Sequence, residues 1–229
     1  MTSENNKATK FLTEETLAQR LPVWCTELDI TTQAPLQLKR PALLVLDMQN
    51  EFLTDQGQMP VWGGPAVISR VKNTLGAFRQ AGFPVFFTRH LCIEPYRHQG
   101  ELGVMENVSE PSEFLADGCY SAELHESIQP RRGEQVIDKY RYSAFYDTPL
   151  DTLLRVNGVT DVVIAGVATN ICCETTAHDA YFRGFNVFFA VDGCGGTDEK
   201  AHLASLKNIA LVYGVPVAVA SIISSIGSM

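Results

Sequence analysis

Apolar and polar positions along this chain fall into two alternating rhythms. Short apolar runs recur near 42–46, 84–88, 135–138, 161–165, 186–191 and 216–220. Most lack polar interruptions, the pattern of strands covered on both faces in a parallel sheet. Between them lie longer stretches, near 65–81, 147–156, 172–183 and 198–213, where apolar residues return at helical spacing. Such alternation predicts an α/β fold: a doubly wound, mainly parallel sheet flanked by helices, with right-handed crossovers. Residues 92–130 are less regular, and the chain has no internal repeat and no low-complexity tract.

The first forty residues stand outside this rhythm. Thr13 to Arg20 reads as a short helix, with Thr13 as its cap and Thr16 as the alternative. Pro22, Pro35 and the polar stretch Thr31-Thr32-Gln33 then predict an extended arm. The domain plan is therefore an N-terminal arm over 1–40 and one domain over 41–229. The arm carries Trp24, Leu28, Ile30, Leu36 and Leu38 among polar residues. Apolar side chains on an arm need a surface, either the chain's own domain or a partner subunit. A homo-oligomer, dimer or tetramer, is expected.

Composition narrows the class. The chain has 229 residues, 45% of them hydrophobic, and a formal net charge of −8. The length suits a single domain with a sizeable core. The acidic balance, with no Lys/Arg cluster, argues against nucleic acid as a partner. No apolar run reaches the length of a membrane span. The segment Met1 to Lys7 lacks the apolar stretch of a secretory signal. Six irregularly spaced cysteines read as reduced thiols, so a cytoplasmic location is expected.

Candidate chemistry sits at the ends of three predicted strands. Cys172 follows the run Asp161 to Ala165 through Gly166-Val167-Ala168-Thr169-Asn170-Ile171, where a strand gives way to a helix. Amide groups and the helix dipole at such a junction favour a thiolate and offer oxyanion donors. Asp47 ends the run Ala42 to Leu46, and Lys139 follows Gln135-Val136-Ile137-Asp138. Ligands of open α/β sheets bind beyond the carboxyl ends of the strands. A carboxylate, an ammonium and a thiol are thus expected at one edge, with Asp47 as general base and Lys139 keeping the thiolate ionised. Cys173 points about 100° away from Cys172 and is expected to pack against the sheet.

These segments resemble the isochorismatase-like cysteine hydrolases over Pro41 to about Ser221. The resemblance rests on Leu43 to Phe52, on Lys139-Tyr140-Arg141-Tyr142-Ser143-Ala144-Phe145, and on Gly166 to Thr176. It implies an Asp47–Lys139–Cys172 triad, with the nucleophile directly after Asn170-Ile171. It also implies a cis peptide between Val167 and Ala168, which turns amide groups towards the reacting carbonyl, and an oxyanion hole around Ala168 and Cys172. Gln49, Phe52, His90, Tyr142 and Asn170 are the expected substrate-side residues. Asn170 is also read as a residue that positions the turn. The stretch from Lys139 to Asp151 looks similar to the ureidoacrylate amidohydrolase branch, which removes a carbamoyl group from a small acid. N-carbamoylsarcosine and biuret hydrolases are neighbours in that family. Arg89, Arg97 and Arg141 are candidate partners for a substrate carboxylate.

No cofactor is expected. The nicotinamidases of this family bind a metal through Asp-x-His and a later His. The corresponding stretch here is Thr88-Arg89-His90-Leu91-Cys92, with His98 beyond, so the Asp-x-His pattern is missing and no metal is expected. His90, Cys92 and His98 match no strong zinc spacing. The resulting expectation is a cysteine-dependent amidohydrolase acting on a small amide or carbamoyl compound through a thioester. The alternatives are an isochorismatase-type vinyl-ether hydrolase, which the cysteine opposes, and a non-catalytic binding protein, which the intact triad opposes.

Overall fold

Six strands form one all-parallel sheet in the order β3-β2-β1-β4-β5-β6, as seen in a computed structural model that describes residues 11–29, 36–92 and 114–229. The strands are β1 (Pro41–Leu46), β2 (Val85–His90), β3 (Gln135–Lys139), β4 (Asp161–Val167), β5 (Asn186–Gly195) and β6 (Val215–Val217). The strand order reverses between β1 and β4, which places a topological switch point there. Both central strands are buried at every residue, as their unbroken apolar runs require.

Among the described residues seven α-helices flank the sheet: α1 (Glu14–Glu27), α2 (Asn50–Leu53), α3 (Gly64–Ala81), α4 (Leu150–Val156), α5 (Glu174–Phe182), α6 (Glu199–Asn208) and α7 (Val219–Gly227). α3 packs against α1 and α7 as well as the sheet. Among the described residues no helix is long and apolar enough to cross a membrane.

Gly166 lets β1 and β4 come together at the switch point. Its φ is +132°, and a Cβ there would lie 2.1 Å from the carbonyl oxygen of Leu46. Only glycine permits that approach, which sets Asp47 and the segment after β4 side by side.

Four expectations are corrected. The N-terminal helix does not stop at Arg20 but runs to Glu27, with Pro22 inside it. Thr13 caps it, accepting a hydrogen bond from the Thr16 N–H at 3.2 Å. Burial of Leu17, Trp24 and Cys25 on its inner face outweighs an interior proline. Second, the chain after β6 turns at once into α7, where the apolar run near 216–220 suggested a strand; a short apolar run carries no period of its own. The side chain of Asp192 accepts from the Val219 N–H at 2.7 Å and starts that helix. Third, the helix expected over 198–213 ends at Asn208 and continues as a π-helical turn, Ile209–Tyr213. Fourth, the strand expected near 186–191 extends to Gly195 and takes in Cys194. Pairing with β4 resumes after a register shift and matches Cys194 with Gly166. Backbones approach closely there: a Cβ on Gly195 would lie 2.6 Å from the Gly63 backbone.

The arm lies on its own domain. Trp24, Leu28, Leu36 and Leu38 pack into or against the main core, and the Trp24 indole donates to Glu199 at 3.0 Å. Ile30 lies outside the described residues.

Candidate active site

Asp47, Lys139 and Cys172 meet above the carboxyl end of the sheet. Asp47 is the first residue after β1 and holds a left-handed backbone, φ +49°. Asp tolerates that conformation better than most residues, and such positions gather at functional sites. Lys139 ends β3, two strands from β1. Neighbouring strands lie about 4.8 Å apart, so only a long side chain spans the interval. It passes His90 on β2, its register partner, and its Nζ lies 2.8 Å from Asp47 Oδ2, with both side chains fully buried. The same Nζ lies 3.1 Å from His90 Nδ1, and donates to the Arg141 carbonyl at 3.1 Å and to Cys172 Sγ at 3.4 Å.

Cys172 sits in a π-helical turn, Thr169–Cys173, that precedes α5, and the peptide between Val167 and Ala168 is cis. The N–H groups of Ile171 and Cys173 both donate to the Ala168 carbonyl, at 3.0 and 3.1 Å. This knits the turn that presents the sulfur. Cys173 is fully buried in the main core, as the differing directions of the two side chains require.

The electrostatics of this cluster differ from expectation in one respect. Burial pushes the Cys172 thiol well above its ordinary range; Lys139 opposes that shift, and Asp47 adds to it. The resting site therefore holds a thiol and not a thiolate. The helix dipole does not decide the matter, because the sulfur lies in the turn before α5 and is largely desolvated, Cys172 being 6% exposed. Burial also works against the charge on Lys139, but its neighbours, Asp47 foremost, outweigh it and hold the lysine above its usual value. His90 is driven down to about 3, first by burial and then by the Lys139 ammonium, with Asp47 opposing. Its imidazole is neutral, and Nδ1 accepts from the lysine.

Asp47, His90 and Cys172 form the one group of potential metal ligands among the described residues, their ligand atoms within 4.8 Å of one another. The group does not fit a metal. Lys139 Nζ already lies within 3.4 Å of all three, so the cation that this donor set surrounds is the ammonium. Cys92 instead faces an apolar cluster of Phe114 and Leu115, and His98 lies outside the described residues.

The expected substrate-side residues divide. Tyr142 stands beside the cluster, its ring stacked on His90 at 5.8 Å and nearly half exposed. Phe52 is half-buried between the main core and the Phe114–Leu115 cluster. Gln49 proves to be a brace: Nε2 donates to the carbonyls of His90 and Ala122, at 3.0 and 2.9 Å, and Oε1 accepts from the His90 N–H at 2.8 Å. Its amide holds backbone, with both Nε2 hydrogens committed to carbonyls. Asn170 braces the turn through its oxygen, Oδ1 accepting from the N–H and hydroxyl of Thr197 at 3.0 and 3.2 Å. Arg89 is corrected as a carboxylate reader. Asp138, Asp117 and Glu123 surround its guanidinium at 2.8, 3.3 and 3.5 Å. Arg97 lies outside the described residues.

Three further supports hold these groups in place. The Thr88 hydroxyl donates to Asp47 Oδ1 at 2.6 Å and accepts from the Asp47 N–H at 3.2 Å. A polar residue two positions before His90, hence on the same strand face, was its only signal. His202 Nδ1 lies 2.9 Å from the Thr169 hydroxyl under the Trp24 ring, which links the arm to the nucleophile's turn. Ser143 donates to Asp179, and the Thr176 hydroxyl accepts from the Ala144 N–H at 3.0 Å, tying the Tyr142 loop to α5.

Comparison with known proteins gives the family. Nicotinamidase 3 of Arabidopsis thaliana is 38% identical over 177 residues, covering 76% of this chain and 83% of that protein. The ureidoacrylate amidohydrolase RutB of Methylobacterium radiotolerans is 32% identical over 203 residues, covering 81% and 79%. A cysteine hydrolase from Pseudomonas syringae pv. phaseolicola superimposes with a TM-score of 0.78 at 27% identity, covering 86% of this chain and 97% of that one. The Isochorismatase domain matches residues 41–221. With its sheet order, its strand-end cluster and this match over most of its length, the chain belongs to the isochorismatase-like hydrolase family.

Proposed function

We propose that this protein is a cysteine-dependent amidohydrolase that cleaves a C–N bond in a small amide or carbamoyl compound. The observation that carries the reading is Lys139, fully buried, with its ammonium in contact with both Asp47 and Cys172. A buried cation between a carboxylate and a thiol serves chemistry better than stability, because burying charges costs more than most pairs return.

The steps follow from the resting protonation states. Asp47 takes the thiol proton as the sulfur attacks the carbonyl carbon, and Lys139 stabilises the negative charge on either group. Backbone N–H groups around Ala168 and Cys172 receive the oxyanion. As the C–N bond breaks, Asp47 returns the proton to the departing amine or ammonia and leaves a thioester on Cys172. Asp47 then takes a proton from water, which attacks the thioester carbon; as the C–S bond breaks, Asp47 returns that proton to the sulfur, freeing the acid and restoring the thiol and the carboxylate. The same carboxylate serves both halves, so neither metal nor organic cofactor enters. The named activities of the two relatives, both amide-cleaving, support the reading. A small-molecule substrate, a cytoplasmic setting and a homo-oligomer belong to the same proposal.

Ammonia release across a panel of ureido acids, biurets and primary amides tests it. Cys172→Ala is expected to abolish turnover and Cys173→Ala to keep most of it, with an acyl adduct on Cys172 in intact mass spectra. Turnover retained in Cys172→Ala would refute the nucleophile and with it the mechanism.

A further inference from the structure

The charges inside the cluster cancel, and one cation beside it finds no counter-charge among the described residues. Asp47 offsets Lys139, the Cys172 thiol is neutral, and His90 is an uncharged imidazole. Arg141 lies next to this neutral centre. Its carbonyl accepts from Lys139 Nζ at 3.1 Å, which pins its backbone to the cluster. The following residue, Tyr142, lays its ring on His90. Arg141 is half-buried. Its Nη1 donates to the Tyr140 carbonyl at 2.8 Å, which leaves the rest of the guanidinium fork unengaged among the described residues. No carboxylate among those residues pairs with it. Arg89 shows the contrast, held by three carboxylates on the other side of the sheet edge. The field of Arg141 is felt at both His90 and Tyr142.

We propose that Arg141 binds a carboxylate of the substrate, so that the site selects small carbamoyl or amide acids over neutral amides; this rests on the amidohydrolase reading. A half-buried guanidinium without a counter-charge among the described residues is under-solvated there, and a planar carboxylate is the partner its fork fits. A neutral amide leaves that cation uncompensated. The inference also separates the two relatives, since nicotinamide is a neutral amide and ureidoacrylate an acid.

The test is calorimetric titration of the Cys172→Ala protein, which binds without turnover, with 3-ureidopropionate and with its methyl ester. The acid is expected to bind at least about tenfold more tightly than the ester, the scale of one charge-assisted pair. Arg141→Ala in the same background should weaken the acid about tenfold or more and leave the ester within about twofold. Arg141→Lys, which keeps the charge but not the fork, should fall between. Equal affinity for acid and ester, no binding of the acid, or equal loss of both ligands in Arg141→Ala would overturn the inference. Failure of the enzymatic reading is read elsewhere: ammonia release that does not depend on Cys172. If nicotinamide is hydrolysed through Cys172 while the ureido acid neither binds nor reacts, the amidohydrolase reading stands and the role of Arg141 falls.

Discussion

Strands β2 and β3 carry two polar cross-strand pairs one step apart, Arg89 with Asp138 and His90 with Lys139. Successive strand residues face opposite sides of a sheet, so the pairs meet opposite environments. On one side Arg89 gathers Asp138, Asp117 and Glu123, of which Asp117 is 74% and Glu123 54% exposed. Water screens that network, and its charges have all found partners. On the other side Lys139 is fully buried, and its ammonium holds Asp47, His90 and Cys172 around it. The first pair is a solvated fastening at the sheet edge. In the second, desolvation raises the thiol and depresses the imidazole. The same residue chemistry yields a surface contact or a reactive centre according to which face of one strand it occupies.

The sharpest way to break this contrast is Lys139→Met. It leaves Asp47 buried without its cation, which is expected to cost roughly 3–5 kcal/mol of stability. Ammonia release should fall by at least about 10²-fold, because the proton path loses its charge balance. Urea denaturation and turnover check the two effects; a variant as stable and active as the parent would remove Lys139 from the centre.

A pH series tests the buried side more gently. His90 is held down to about 3, and His202 to about 4 by burial. The unfolded chain takes up protons below about pH 6.5, while the folded histidines refuse them. Stability is therefore full above 6.5 and falls as pH drops towards 4 and then 3. At pH 5 each histidine should cost about 2 kcal/mol. Denaturation midpoints at pH 7 and pH 5 measure the sum, and His202→Gln should remove about half of it. An unchanged midpoint in the parent protein would show that neither ring is buried neutral.

The exposed side should respond least. Arg89→Ala is expected to cost no more than about 1 kcal/mol and to leave turnover within about twofold. A large loss of activity would return Arg89 to the list of substrate contacts. Smallest of all is chelation: prolonged dialysis against a strong chelator should leave the rate unchanged, because the ammonium occupies the centre of the only ligand cluster among the described residues. A stoichiometric metal with a rate that depends on it would contradict this.

Much of the site was legible because its three central groups stand where apolar strand runs end. Asp47, Lys139 and Cys172 each follow such a run, and parallel topology brings the carboxyl ends of strands to one edge. Gln49 was legible as important but not in its role. Only the folded chain shows its amide clamped on the backbone of His90 and Ala122. Arg89 and Arg141 were indistinguishable along the chain, and three carboxylates from distant segments separate them. The α1 helix through Pro22 was hidden because local propensity opposes it and only the packing of Leu17 and Trp24 favours it. The α7 helix was hidden because a run of five apolar residues suits either a strand or a helix.

By itself, the sequence determined the alternation of strands and helices, the parallel class of the sheet and the positions of the three reactive groups. Each of these follows from periodicity and from what ends an apolar run, both local properties of the chain. The tertiary structure alone decided the strand order, the passage of Lys139 across β2, the π-turn under Cys172 and the resting protonation of thiol and imidazole. Those depend on which distant groups become neighbours and on how completely water is removed from between them. No local pattern encodes that, because desolvation is a property of the whole packed interior.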